Sequence, residues 1–437
     1  MKQDLQKILL SQGIEKDFSG KLAGFRNKII NAPLLKDEDC DKVRKIIKDV
    51  QRNQDKAVSE YTKKFDNTEL NPDTFKITQR ELDAAHKNID KELLASMKKS
   101  IHNVRQYQKQ IFIGKNKKFI NGTGIKYTPI ERIGICVPGA SAPLPSTVIM
   151  TAVPAQVAGV KEIVIVSPPR YNGSIHPVIL ATCRELGIKE VYRIGGVQAV
   201  AALAYGTPSI NKVYKIVGPG NGWVQTAKKE VFGQVDIDSV AGPSEVLIVA
   251  DKNANPAYVA ADMLSQAEHA PGSAVLFTDS QKLANDVFEN LEQQYKNLLR
   301  AEETLKCLLN FSLIACFKNM DEVIREANNF ASEHLQIQCG KSSRKIASQI
   351  KNAGAIFIGE HSPVAVGDYF AGPSHTLPTG ASARFFSPLS SNDFVKSTSI
   401  IEYDKNMLTK SGNAIIRIAN AEGLDAHANS VKIRLKK

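Results

Sequence analysis

The most constraining feature is a regular alternation that begins after residue 119. Short apolar runs suited to strands fall at 133–138, 162–167, 190–194, 212–217 and 235–240. Helical stretches at 146–160, 178–186, 197–205 and 221–232 separate them. Such alternation predicts a parallel sheet with helices on both faces. A second series follows, with strands expected at 245–250, 274–278, 313–317, 335–337 and 355–359. Helices are expected between them, including 256–270 and 320–332. The fold class is therefore α/β with two parallel-rich sheets. The flanks differ: 1–25 is a short amphipathic segment, 40–110 reads as three charged helices (41–65, 78–87 and 91–110), and from 384 the chain becomes a mostly helical tail.

In sheets of this kind ligands sit at the C-terminal ends of the strands. The loops there are rich in glycine: 138–143, 195–198, 218–221 and 241–244. Glycine at a strand-to-helix turn lets backbone approach a phosphate, and a helix N-terminus favours negative charge. The same loops also serve as ordinary tight turns, and no GxGxxG fingerprint is present.

Composition narrows the class. The 437 residues contain six cysteines, none in a CxxC pair and several inside apolar runs, which suggests buried free thiols and not a disulfide frame. The N-terminus is polar and the apolar tracts are too short to span a bilayer, so a cytoplasmic location without membrane contact is expected. The net charge of +12 would suit nucleic acid. The lysines are scattered, however, and no zinc-finger or RRM spacing accompanies them, so the charge reads as solvated surface.

Histidines are few. On the helix expected at 256–270, Gln266 and His269 stand three residues apart, one turn above the other. They are either half of a metal site or a polar helix face, with Glu268 beside them. Glu333 and His334 are adjacent between a helix and a strand. They can supply two proton-transfer groups at one place, or simply form a polar pair at a helix C-terminus. Asp368 and His375 lie in a Gly/Pro-rich run that suits either ligand contacts or a surface turn. His427 and Glu422 sit close together in the tail. Gln266, His269, Asp368 and His427 offer only N and O donors, a set that suits zinc with a position open for substrate.

Several motifs occur in order: Val137-Pro138-Gly139-Ala140-Ser141-Ala142-Pro143, Ile194-Gly195-Gly196-Val197-Gln198, Gly218-Pro219-Gly220-Asn221, Ala241-Gly242-Pro243-Ser244-Glu245, Ser265-Gln266-Ala267-Glu268-His269, Ser332-Glu333-His334-Leu335, Gly372-Pro373-Ser374-His375-Thr376-Leu377-Pro378-Thr379 and Ala421-Glu422-Gly423-Leu424-Asp425-Ala426-His427. With these the chain, from about residue 25 onward, resembles the histidinol dehydrogenase family. The resemblance implies a homodimer with shared sites that oxidises L-histidinol to L-histidine in two NAD-linked steps. It implies one zinc ion per subunit, held by Gln266, His269, Asp368 and, from the other subunit, His427. Glu333 and His334 would be the catalytic bases. Ser244, His334, His375 and Glu422, together with the metal ligands, would contact substrate. Cys136, Gln198 and Asn221 would contact NAD. The implied fold is two incomplete Rossmann-like domains: 26–133 with 245–383, and 134–244. Segments 1–25 (helical) and 384–437 would flank them, the latter serving dimerisation.

Three positions depart from the family pattern. Cys136 replaces a usual tyrosine, while Ala140 and Ala381 replace usual glycines, which points to altered cofactor affinity before altered chemistry. Two other readings remain at this level. A metal-dependent hydrolase would use the same Zn, Glu and His inventory, and a nucleic-acid-binding protein would use the charge.

Overall fold

The computed structural model describes residues 6–30, 35–139, 143–269 and 272–436. The strands, in chain order, are β1 (Leu9–Ser11), β2 (Lys117–Lys118), β3 (Thr123–Pro129), β4 (Arg132–Cys136), β5 (Glu162–Val166), β6 (Glu190–Tyr192), β7 (Lys215–Val217), β8 (Asp236–Ile237), β9 (Ser244–Ala250), β10 (Gly272–Thr278), β11 (Ser312–Cys316), β12 (His334–Gln338), β13 (Ala355–Ile358) and β14 (Val395–Ile401). They form two all-parallel sheets, ordered β6-β5-β4-β7-β8 and β1-β11-β10-β9-β12-β13, and a small antiparallel sheet, β14-β3-β2. The expected strands thus form, and both large sheets are parallel as the alternation predicts.

Burial on both faces explains why these strands read as continuous apolar runs. The inner strands β9 and β10 are buried almost throughout. Helices Pro256–Ala267 and Gln281–Gln294 cover one face of the six-stranded sheet, and helix Met320–Phe330 covers the other.

The N-terminal segment is not wholly helical. Leu9–Ser11 adds a parallel edge strand to β11 before helix Phe18–Ile30 begins. Three residues are too few to show a period in sequence.

Residues 37–111 pack mainly on the helices of the five-stranded sheet. Val43, Ile47, Val50 and Val58 on helix Asp37–Asp66 share a core with Val200 and Leu203 of helix Gly196–Tyr205. Met97, Ile101 and Val104 on helix Lys91–Ile111 pack with Ile149 and Val153 of helix Pro145–Ala158. Their apolar stripes repeat at helical spacing, which gives each helix one face to bury.

The two ends of the five-stranded sheet differ in chemistry. At the strand starts, buried Arg132 makes two hydrogen bonds to Glu190, at 2.8 and 2.7 Å, and one to Glu162 at 2.6 Å. The Arg132 guanidinium holds the Glu190 carboxyl below its usual range against the opposing effect of burial. Lys215 pairs with Asp236 at 2.7 Å along the same edge. Bidentate, partly buried ion pairs of this kind fix register. The opposite ends carry glycine loops and a cavity.

The tail is less helical than expected. β14 pairs antiparallel with β3 along its whole length, and helices Lys405–Ala421 and Asp425–Leu435 then pack on each other. β14 is nearly all exposed, so no buried face marked it in sequence.

Of the departures from the family pattern, Ala140 lies outside the described residues, and Ala381 has a left-handed backbone with φ 60°. An L-residue there costs about 1–2 kcal/mol relative to glycine. Ala381→Gly is expected to raise unfolding stability by about 1 kcal/mol, read from chemical denaturation. An unchanged or lowered midpoint would show that the site carries no backbone strain.

Candidate active site

Glu333 and His334 meet at the start of β12, just after Ala331, which closes the preceding helix in a left-handed conformation. Both side chains are buried, with 6% and 4% residue exposure. The start of β9 holds them. Glu333 Oε2 accepts from Ser244 Oγ at 2.6 Å and from the Glu245 N–H at 2.8 Å. His334 Nδ1 lies 3.0 Å from the Glu245 carbonyl oxygen. A carbonyl can only accept, so Nδ1 carries a proton in either charge state, and it is Nε2 that becomes a base when the ring is neutral. Nε2 is buried, has no hydrogen-bond partner, and faces Asp368 Oδ1 at 3.6 Å.

The charges follow from this geometry. Burial pulls the His334 imidazole down, but Glu333 and Asp368 outweigh it and push the pKa to about 9. Burial raises the Glu333 carboxyl. Burial also raises Asp368, but His334 prevails and holds it below its usual value. Burial lowers His375.

Asp368 sits on a short helix, Val364–Tyr369, and not in the open loop the sequence suggested. The helical N-terminal region fixes its position: Ser100 Oγ donates to the Tyr369 carbonyl at 2.5 Å, and Asn103 Nδ2 to that of Phe370 at 3.0 Å. Sequence reasoning missed both residues, because nothing distinguishes them from other polar helix positions. It also missed Glu245, whose Oε1 accepts from the Gly380 N–H at 2.7 Å. Burial pushes that carboxyl up to about 8.

Gln266 is buried near the end of helix Pro256–Ala267, with its Nε2 unpartnered. His269 lies two residues beyond that helix, exposed, with its N–H bonded to the Gln266 carbonyl at 3.2 Å. His269 and His375 both lie close enough to Asp368 to favour its charge. The chain therefore brings Asp368 together with His334, His269 and His375. It does not bring the tail in: His427 and Glu422 are exposed on the helix pair. Among the described residues, no group of three or more His, Cys, Asp or Glu could hold a metal within one chain. The N and O donor types suit zinc, with Gln266 able to offer only its amide oxygen, but among the described residues one chain brings together no complete set.

A second centre lies at the C-terminal ends of the five-stranded sheet. A cavity of about 650 Å³ is lined by Cys136, Gln198, Asn221 and Trp223, among others, within the ~300–1,000 Å³ usual for small-molecule sites. Gln198 is fully buried, and neither end of its amide is bonded. Helices Gly196–Tyr205 and Gly222–Val231 begin at this wall, where their N-terminal dipole ends favour an anion, although the Val224 N–H is already taken by Asn221 Oδ1 at 3.2 Å. Cys136 lines the cavity with its thiol pushed up to about 12 by burial, so it is not a nucleophile at neutral pH. All six cysteines are free, and five are buried.

Two contacts tie the centres together. His375 Nε2 lies 3.5 Å from Thr147 Oγ1, and Ser374 Oγ donates to the Met150 carbonyl at 3.0 Å, both on helix Pro145–Ala158. The linker 238–243 runs from the cavity end of β8 directly to Ser244, and Gly242 N–H is held by Thr379 Oγ1 at 2.6 Å.

Two parallel sheets, a nucleotide-sized cavity on one and a buried acid–imidazole pair on the other define an α/β enzyme. The sequence profile of the histidinol dehydrogenase family matches residues 34–435. The chain belongs to this family and is an oxidoreductase. It is 46% identical over 396 residues to the histidinol dehydrogenase of Rhodopirellula baltica, covering 90% of this chain and 86% of that one. It is 45% identical over 421 residues to that of Oceanobacillus iheyensis, covering 95% of each. The crystal structure of histidinol dehydrogenase from Elizabethkingia anophelis superposes with a TM-score of 0.88 at 36% identity, covering 94% of this chain and 96% of that one. The family sets aside the hydrolase and nucleic-acid readings.

The geometry predicts how His334 titrates. Glu333 is one of the two carboxylates holding its proton, so Glu333→Gln in metal-free protein should lower the imidazole pKa from about 9, followed by NMR. A value that stays or rises would show that Glu333 does not hold that proton.

Proposed function

We propose that the protein oxidises L-histidinol to L-histidine through L-histidinal, passing two hydrides to two molecules of NAD at one zinc-dependent site, as the last step of histidine biosynthesis. The observation that carries this reading is the adjacent burial of two different proton carriers, Glu333 and His334, each held from β9. Oxidising one carbon twice needs a base for the alcohol and a second for water.

Gln266, His269, Asp368 and His427 of the partner subunit would hold the zinc ion, which supplies an anchor for the imidazole and amine of the substrate. Ser244, His375 and Glu422 would complete the substrate contacts, with Glu422 brought in on the same tail as His427. His334, once its ring is neutral, takes the hydroxyl proton at Nε2, since Nδ1 is engaged by the Glu245 carbonyl; with the pKa at about 9 this form grows as pH rises toward 9. The carbon releases its hydride to NAD and becomes an aldehyde. Both hydrogen bonds to Glu333 fall on Oε2, so Oε1 is left to take a proton from water as it adds to the aldehyde. The hydrate loses a second hydride and becomes the carboxylate. Overall one alcohol, one water and two NAD give one carboxylate, two NADH and three protons.

The cavity supports NAD as the acceptor. Cys136, Gln198 and Asn221, expected at the cofactor, all line it, and the unbonded Gln198 amide suits a polar nucleotide edge. Exposed Ile418, Leu424 and Ile433 on the tail helices support a homodimer whose partner covers them. Among the described residues, no helix is long and apolar enough to cross a membrane. A cytoplasmic location is part of this proposal.

The two bases should separate. Purified protein with zinc, L-histidinol and excess NAD is expected to form two NADH per substrate, followed by absorbance. His334→Asn should slow the alcohol step about 10²–10⁴-fold, and Glu333→Gln should slow oxidation of supplied L-histidinal by a similar factor. One NADH per substrate in the wild type, or equal loss of both steps in both variants, would contradict the division of roles.

A further inference from the structure

Lys228, on helix Gly222–Val231, is 1% exposed. A buried ammonium is costly unless it is paired and hydrogen-bonded. Its partner is Asp238, whose side chain is 4% exposed. Among the described residues, no other ion pair has both side chains below 5% exposure.

The pair closes on a single residue. Lys228 Nζ donates to the Gly218 carbonyl at 3.0 Å. Asp238 Oδ2 accepts from the Gly218 N–H at 2.7 Å, and its Oδ1 accepts from the Ser239 N–H at 2.8 Å. Gly218 has φ 110°, and a Cβ there would stand 2.3 Å from the Cys136 carbonyl oxygen. Its backbone is thus pressed on the end of β4, with its donor and its acceptor both taken by buried charge. The next three residues, Pro219, Gly220 and Asn221, are cavity wall. Lys228 itself does not line the cavity, so it acts through the wall.

We propose that Lys228 and Asp238 are positioning residues for the cofactor: they lock the Gly218 backbone so that Pro219, Gly220 and Asn221 stand ready to receive the dinucleotide. This rests on the reading of the cavity as the NAD site. The other ion pairs of this sheet, Arg132 with its two glutamates and Lys215 with Asp236, lie at the opposite strand ends. The Lys215 pair has a comparably buried lysine, so it separates cavity positioning from general sheet stability. Asp238 also opens the linker that ends at Ser244, so the same clamp fixes the wall relative to the proton-transfer pair.

The chain has one tryptophan, and Trp223 lines the cavity. Its fluorescence therefore reports occupancy without turnover. The full-length protein is titrated with NAD, and the same preparations are assayed for KM and kcat. Lys228→Met leaves Asp238 buried and charged. The double variant Lys228→Met with Asp238→Asn removes both charges but keeps an acceptor for Gly218 N–H, which protects folding. Lys215→Met is the control at the far end of the sheet.

Both Lys228 variants should raise the Kd and KM for NAD by about tenfold or more. The KM for L-histidinol should stay unchanged, and Lys215→Met should bind NAD as the wild type does. The inference is overturned if the folded double variant binds NAD within about a factor of two of wild type. It is also overturned if Lys215→Met weakens NAD binding equally. If NAD neither changes wild-type fluorescence nor accepts hydride, the cavity reading itself fails and takes the inference with it.

Discussion

The site depends on how one residue, Glu245, is held at the start of β9. Its N–H donates to Glu333, its carbonyl accepts from His334 Nδ1, and its carboxyl accepts from Gly380 N–H. The first two bonds give each proton carrier one fixed atom and one free one. The third ties the strand to the loop that carries His375. A strand start between two paired strands is a rigid place for such groups, because the ladder fixes the backbone on both sides.

That position also explains the joining of the two sheets. In the five-stranded sheet the chemistry lies at the C-terminal strand ends, as doubly wound folds lead one to expect. In the six-stranded sheet Ser244, Glu245 and His334 lie at strand starts. The chain leaves β8 at the cavity and enters β9 at the proton-transfer pair, so the C-terminal ends of one sheet are linked to the N-terminal ends of the other. The far end of the five-stranded sheet is left to structural ion pairs around Arg132, Lys215 and the acidic strand starts.

Most of the parallel framework was legible in the sequence, because strands buried on two faces read as apolar runs between helical ones. β1 and β14 were not: the first is three residues long, and the second is exposed. The packing partner of 37–111 was not legible either, since an apolar helical stripe shows that a helix is buried but not against what. In the site, Glu333 and His334 stood out as an adjacent acid and imidazole, and Gln198 and Asn221 through their glycine loops. Glu245 did not, because what it supplies to the bases comes from its backbone. Gln266 and His269 were expected on one helix face, but the helix ends at Ala267 and a single further turn leaves His269 exposed. His427 and Glu422 lie on the exposed tail, where only a second chain would give them a role.

The proposed site is completed across two subunits, and subunit mixing tests this most directly. In a dimer of one His334→Asn chain and one His427→Asn chain, one site carries both defects and the other carries none. Two separately inactive preparations, mixed equally and allowed to exchange, should recover about a quarter of wild-type activity. No recovery from dimers shown to have exchanged would contradict it.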